Sequence, residues 1–440
     1  MDDAYDARLM RILHLAWEYP PVLYGGLGRH VHALANAQAA NGHDVVVITQ
    51  ASGPGAPTTG AVEDSDSGPV RVLRAGDLPT LAESGDLLGQ VTLMEQAFTA
   101  CGEDLLGSWS PDVVHAHDWM VAHAAVSLRA SSGAPLVATI HATEAGRNQG
   151  WVTTELSTTI HSIEWWLANT ADAVIACSRS MDDEIACLFG VHATRVVANG
   201  IDLSHWTPPN GASERMRAAH ADARPLLAYT GRMEWEKGVQ LLLQAMPALR
   251  QANPDVRLLV AGRGSYLPQL QEQARELGLD HCTRFLGWVS EEDLRAVVAV
   301  ADVAIAPSLY EPFGLVALEA AALGTPVVVS ETGGLAEFAG DGERALTFRP
   351  GDVDGLARAV QEGLDEPAAA RERAQRAADS LTDQHDWRRI ARATVEVYRE
   401  AQTARPADAS APFGGASRYR RELAQPRFEP PLGRLLDRGW

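Results

Sequence analysis

Two cationic side chains five positions apart, Arg232 and Lys237, stand in the segment TGRMEWEKG (230–238), directly after the apolar run PLLAYTG. A planar guanidinium fork and a compact ammonium at the carboxyl end of a strand suit a phosphate group. Lys237 is the only lysine among 37 basic residues. A GC-rich bias towards arginine codons explains why other lysines are missing, but not why this one stays. The plain alternative is a surface ion pair with Glu234 or Glu236. It accounts for neither the strand-end position nor the isolated lysine.

A second chemical segment is PSLYEPFGLVALEAAALGTP (307–326). Glu311 precedes Pro312, which pushes it out of helical geometry and into a loop. A helix then starts near Gly314, where bare N–H groups face outward and favour an anion. Glu319 lies more than one turn into that helix and can accept hydrogen bonds from a ribose diol. Its apolar neighbours Ala317, Leu318, Ala320 and Ala321 argue against a solvent-facing role. A third segment, YGGLG (24–28), follows the first apolar run and opens a helix, so its amides too can approach an anion. By itself this glycine pair is equally well a tight turn.

These segments need strands that end beside one another. Apolar runs at 11–17, 44–49, 70–73, 112–116, 136–141, 173–177 and 195–198 alternate with helix-length stretches such as 28–41 and 86–106. The rhythm repeats at 225–231, 256–262, 283–287, 302–307, 326–330 and 345–348. Runs of Val, Ile and Leu without polar alternation are what strands look like when helices cover both faces of a parallel sheet. The expected fold is α/β, with two Rossmann-like doubly wound domains facing each other across a cleft. The Pro-, Gly- and Asn-bearing stretch 199–225 marks the boundary, giving domains at 1–200 and 201–385. HDWRRIARATVEVYREA (385–401) reads as an amphipathic helix, and residues 403–440 as a Pro/Arg-rich tail.

The chain has 440 residues, 46% of them apolar, and a formal charge of −20. So negative a surface does not grip a nucleic-acid backbone without local pockets, so no nucleic-acid partner is expected. No run approaches the ~20 apolar residues of a membrane span. Residues 1–200 carry nine Arg and no Lys against 23 acidic residues, which disfavours docking on an anionic membrane. The acidic start MDDAYDARLM lacks the basic-then-apolar order of a signal peptide. Cys101, Cys177, Cys187 and Cys282 show no metal-ligand spacing and read as reduced thiols, so the expected location is cytoplasmic and no metal is assigned.

Together, GGLG, GR…EKG and EPFGLVALEA, in this order and spacing, resemble the retaining GT-B glycosyltransferases of glycosyltransferase family 4, in their glycogen synthase-like branch. The resemblance spans residues 10 to about 402. It implies that Arg232 and Lys237 neutralise the diphosphate of a nucleotide-sugar donor, and that Glu319 holds the ribose. Glu311 would face the transferred sugar, with Gly314, Leu315 and Val316 lending backbone N–H groups. Gly25 and Gly26 would lie under the diphosphate, and Val289 would meet the base through its backbone. His141, at the end of LVATIH, would contact the donor sugar from the first domain, and helix 386–402 would cross back onto that domain. Many glycogen synthases carry a lysine just before the glycine pair, where this chain has Tyr24.

The implied reaction moves a hexose, glucose foremost, from ADP- or UDP-glucose to a sugar or α-glucan acceptor, with no cofactor. Mannosyl or aminosugar transfer to a secondary metabolite or lipid would use the same donor machinery. A reading of another class is a sugar-nucleotide epimerase or a nucleotide-sugar-binding subunit. The segments HAHDW (115–119) and IHSIEWW (160–166) supply aromatic and polar groups that suit either a sugar platform or a packed core.

Overall fold

The computed structural model describes residues 9–51, 61–64, 69–75, 86–208, 211–219 and 225–403. The tail expected at 403–440 lies, beyond Thr403, outside the described residues. Two compact units are present. The first comprises Met1–Cys177, Met181–Val197 and Trp387–Trp440, and the second Ser178–Ser180 and Ala198–Asp386.

In the first unit the strands are β1 (Arg11–Ala16), β2 (Asp44–Gln50), β3 (Ala61–Asp64), β4 (Arg71–Ala75), β5 (Val113–His117), β6 (Leu136–Ile140), β7 (Ala173–Ala176) and β8 (Arg195–Val196). They form one sheet in the order β3-β4-β2-β1-β5-β6-β7-β8. Only the β3–β4 pair is antiparallel. The helices between them are α1 (Gly26–Ala40), α2 (Leu87–Leu106), α3 (Ala122–Ser132), α4 (Glu144–Arg147), α5 (Glu155–Thr170) and α6 (Arg179–Phe189). Every residue of β1 but the first is buried, as is every residue of β5 and β6, which is why these strands read as unbroken apolar runs. Asp86 caps α2 by accepting from the Gly89 N–H at 2.9 Å, a contact worth about 1 kcal/mol.

In the second unit the helices are α7 (Ala212–Ala219), α8 (Val239–Ala252), α9 (Leu267–Glu276), α10 (Glu291–Val300), α11 (Leu315–Ala322), α12 (Gly333–Ala339), α13 (Val353–Asp365) and α14 (Pro367–Gln384). Its strands are β9 (Leu226–Thr230), β10 (Arg257–Ala261), β11 (Thr283–Gly287), β12 (Val303–Ala306), β13 (Val327–Ser330) and β14 (Leu346–Phe348). They lie in the order β11-β10-β9-β12-β13-β14, all parallel. The last helix, α15 (Trp387–Thr403), belongs to the first unit and packs on α1. Its buried face, Ile390, Ala391, Thr394, Val395, Tyr398 and Ala401, follows the helical period.

In each sheet the chain winds outward from one strand in both directions. That strand is β1, flanked by β2 and β5, and β9, flanked by β10 and β12. Ligands of doubly wound sheets bind beyond the carboxyl ends of such a strand pair. Three local features depart from the pattern read along the chain. The edge strand β3 has no apolar run to announce it, 195–198 keeps only two strand residues, and the stretch 199–225 contains α7. No described helix is long and apolar enough to cross a membrane.

Candidate active site

In the second unit the loops leaving β9 and β12 lie side by side. Arg232 follows Thr230 of β9 by two residues, and its carbonyl accepts from the buried Tyr229 hydroxyl at 2.8 Å. Trp235–Lys237 forms a 3-10 turn closed by Gly238 at φ 72°. The Glu236 carbonyl then accepts from the N–H groups of Leu309 and Tyr310, at 2.8 and 3.2 Å. A Cβ at Gly238 would fall 1.8 Å from the Pro307 carbonyl oxygen, so only glycine permits this approach.

This contact between loops brings the Lys237 ammonium to 2.9 Å from a Glu311 carboxylate oxygen, with the two side chains only 14% and 13% exposed. The Ser308 hydroxyl donates to the same oxygen at 3.2 Å. Arg232 pairs with Glu236 at 3.3 Å and is 41% exposed. Arg232 therefore takes the buried Glu236, whereas Lys237 takes Glu311 and neither neighbouring glutamate. Glu234 is used elsewhere, accepting from Ser265.

Gly314 caps α11 in the left-handed region at φ 98°, where a Cβ would strike Leu335 at 2.6 Å. Beyond it Leu315 and Val316 are half-buried and begin the helix, and Glu319 is buried on it. Arg232, Lys237, Glu311 and the start of α11 thus gather at the β9–β12 reversal of the second sheet. Val289 sits two residues past β11, beside Trp288, which is 66% exposed with the Arg263 guanidinium over its ring.

The first unit offers a different chemistry at its β1–β5 reversal. The Glu18 carboxylate accepts from the Tyr24 and Gly25 N–H groups at 2.8 and 2.9 Å, so the glycine loop already holds an oxyanion. Gly25 is the N-cap of α1 and Gly26 its first residue, and the first turn keeps its outward N–H groups. His141 is the first residue past β6. Its N–H donates to Asp118 Oδ1 at 2.7 Å, and its ring meets His117 across Nε2 and Nδ1 at 3.1 Å. Asp118 sits at φ 62°, ψ 179°, a conformation that costs a non-glycine residue on the order of 1–3 kcal/mol. Burial lifts its carboxyl to about 6, although Arg147 and the backbone N–H groups of His141 and Ala142 oppose the rise.

Behind His141 lies a run of buried histidines. His14 Nδ1 and His117 Nε2 are 3.0 Å apart, and His14 Nε2 is 2.7 Å from Gln38 Oε1. Gln38 Nε2 donates to the Tyr398 hydroxyl at 3.0 Å; that hydroxyl is 2.7 Å from His115 Nδ1, and His115 Nε2 is 2.7 Å from Thr139 Oγ1. Burial lowers His14 to about 4, and burial with the nearby Arg147 lowers His141 to about 3. His115 and His117 are pushed well below the usual range, first by burial and then by their histidine neighbours. Among the described residues, two trios bring ring nitrogens within 4.8 Å of one another: His14, His115 and His117, and His30, His117 and His141. These neutral imidazoles could ligate a metal only by giving up hydrogen bonds, since both nitrogens of His14, His115 and His117 are engaged.

The model of the family described as Glycosyltransferase Family 4 matches residues 24–205, and that of Glycosyl transferases group 1 matches residues 212–380. The chain is 46% identical over 401 residues to the glycogen synthase of Mycobacterium tuberculosis, covering 89% of this chain and 95% of that one. The chain belongs to the family 4 glycosyltransferases. An alpha-maltose-1-phosphate synthase of Mycolicibacterium smegmatis is 32% identical, over 89% of the transferase and 99% of that relative. The sucrose-phosphate synthase of Thermosynechococcus elongatus matches in structure with a TM-score of 0.76 and 25% identity, over 90% of the transferase and all of that chain. With its two doubly wound units the transferase has the GT-B fold.

The sequence motifs that pointed to this family lie where the two sheets reverse. HAHDW, considered as a sugar platform, is core in the transferase: His115, His117, Asp118 and Trp119 are all buried. IHSIEWW is divided, with Ile160, His161 and Glu164 buried and Trp165 and Trp166 half-exposed. Sequence reasoning missed Glu18, His14 and Gln38, and named Asp118 only as part of HAHDW. Histidines inside the apolar strands RILHLA and VVHAH were the available signal, because a polar ring in a strand buried on both faces must find a partner.

Proposed function

We propose that this transferase is a retaining glucosyltransferase that moves glucose from ADP- or UDP-glucose to an α-glucan or sugar acceptor. The observation that carries the reading is the Lys237–Glu311 pair at 2.9 Å, placed with Arg232 and the Gly314 helix start at the reversal of the second sheet. Cleavage of the bond between the sugar C1 and the diphosphate leaves negative charge on the departing oxygen. Lys237, Arg232 and the amides of Gly314, Leu315 and Val316 supply positive charge and dipoles there, which stabilises the transition state more than the ground state.

Lys237 exchanges its partner on donor binding, from Glu311 to phosphate, and Glu311 turns to the hydroxyls of the transferred sugar. Glu319 holds the ribose, and the backbone at Val289 meets the base. From the first unit, Gly25 and Gly26 serve the diphosphate and His141 the sugar. Resemblance to the glycogen synthase supports glucose as the sugar and a glucan as acceptor.

The test offers ADP-, UDP- and GDP-sugars to the full chain, first by thermal shift and then by donor consumption with maltooligosaccharides or glucose 1-phosphate as acceptor. A bound donor raises the melting temperature by mass action, and transfer lengthens the acceptor with an α-linkage. Failure of every donor to bind would sink the reading. Conversion of the sugar nucleotide without acceptor would assign an epimerase instead.

A further inference from the structure

We propose that a buried relay ending at Gln38 fixes the ring of His141 in its Nε2–H tautomer, making Gln38, His14 and His117 positioning residues for the sugar contact. The functional half of this inference rests on the role given to His141 above; the tautomer itself does not.

The proton positions follow link by link from Gln38, which is fully buried on α1. An amide oxygen only accepts, so at 2.7 Å from Gln38 Oε1 the Nε2 of His14 carries the proton. A neutral imidazole has one N–H, so His14 Nδ1 accepts, and its partner at 3.0 Å, His117 Nε2, donates. His117 Nδ1 then accepts from His141 Nε2 at 3.1 Å. His141 is left with a bare lone pair on Nδ1. All three rings stay neutral because burial holds each below the usual histidine range.

A side branch can be satisfied in the same direction. Gln38 Nε2 donates to the Tyr398 hydroxyl, which donates to His115 Nδ1, and His115 Nε2–H donates to Thr139 Oγ1. In this direction each link has one donor and one acceptor, and the Tyr398 hydroxyl both accepts and donates. The backbone is fixed separately, by the His141 N–H on Asp118. The consequence is chemical. An Nδ1 lone pair accepts from a sugar hydroxyl, whereas the opposite tautomer would present an N–H to the same hydroxyl.

The full chain labelled with 15N-histidine decides the matter by long-range proton–nitrogen correlation, with signals assigned by single substitutions. His14, His117 and His141 should all read as neutral Nε2–H. Gln38→Met keeps length and removes the acceptor; His141 should then show both tautomers, and kcat should fall about tenfold, the worth of one hydrogen bond, with donor KM within about twofold. Thr394→Val removes a buried hydrogen bond, to the Ile390 carbonyl, that no member of the relay or its branch shares; it should leave the His141 signals and kcat unchanged, which separates positioning from general loosening. An Nδ1–H signal from His141 in the wild type, or unchanged tautomer and kcat in Gln38→Met, overturns the proposal. The wild-type spectrum decides even where Gln38→Met does not fold. Because it is read without donor, a protein that turns over no nucleotide sugar would refute the reaction while the spectrum still judged the relay.

Discussion

The two sheets meet the same topological demand with opposite electrostatics. At the β1–β5 reversal of the first unit the ring of His141 and those behind it are neutral imidazoles, buried and bonded to one another. At the β9–β12 reversal of the second they are ions held in pairs, Lys237 with Glu311 and Arg232 with Glu236. A fully buried charge costs several kcal/mol unless it is paired, whereas a neutral ring costs little once its hydrogen bonds are met. The first arrangement therefore suits groups whose geometry must not change. The second suits groups that keep enough solvent contact to exchange one anion for another.

The sharpest way to break this contrast is Lys237→Ala. It removes the compact cation and should lower turnover by about two or more powers of ten. Lys237→Arg should recover little, because a planar fork cannot take the place of an ammonium in a slot 14% exposed. Near-normal steady-state rates in the alanine variant would show that the second reversal does not carry the charge of the reaction.

Acid should separate the units next. Unfolded histidines bind protons near pH 6.5, while folded His14 resists until about 4 and His141 until about 3. Across that window the unfolded state holds more protons, so stability falls as the pH falls. His14 alone accounts for about 3 kcal/mol by pH 4. His115, His117 and His43 act in the same direction, while the half-exposed His123, raised by Glu95, and the buried carboxyls of Asp118 and Glu164, raised by burial, oppose them in the first unit. Among the described histidines of the second unit only His385 is lowered. Hydrogen exchange at pH 5 against pH 7 should show protection lost first in β1, β5 and β6; loss beginning at β9 and β12 would reverse the comparison.

A smaller effect tests the rigidity assigned to the first reversal. Asp118→Ala loses the acceptor and keeps the unfavourable backbone, while Asp118→Gly loses the acceptor and relieves it. The glycine variant should be the more stable by about 1 kcal/mol in urea unfolding, the reverse of the usual order. The smallest effect is expected from Arg232→Ala on stability. A partly exposed pair contributes about 0–1 kcal/mol, so the melting temperature should barely move while donor KM rises.

Much of this was legible in the chain. The strands of both sheets showed as apolar runs because both faces are covered, and Lys237 stood out as a solitary lysine at a strand end. Glu311 and Gly314 were placed by the backbone rules of Pro312 and of a helix start. The edge strand β3 was not, since a short antiparallel edge needs no apolar run. Nor was the histidine relay. His14, Gln38 and Tyr398 lie on β1, α1 and α15, and only folding makes neighbours of residues as distant in sequence as Gln38 and Tyr398. The choice between platform and core for HAHDW likewise turned on burial, which spacing alone does not fix.

The tight approach at Gly238 has one last consequence. Because even a methyl group there would collide with the neighbouring main chain, position 238 is closed to every other amino acid in evolution or in a directed library. Variants seeking a new donor have to be sought in the side chains around that junction, since the junction itself tolerates no change.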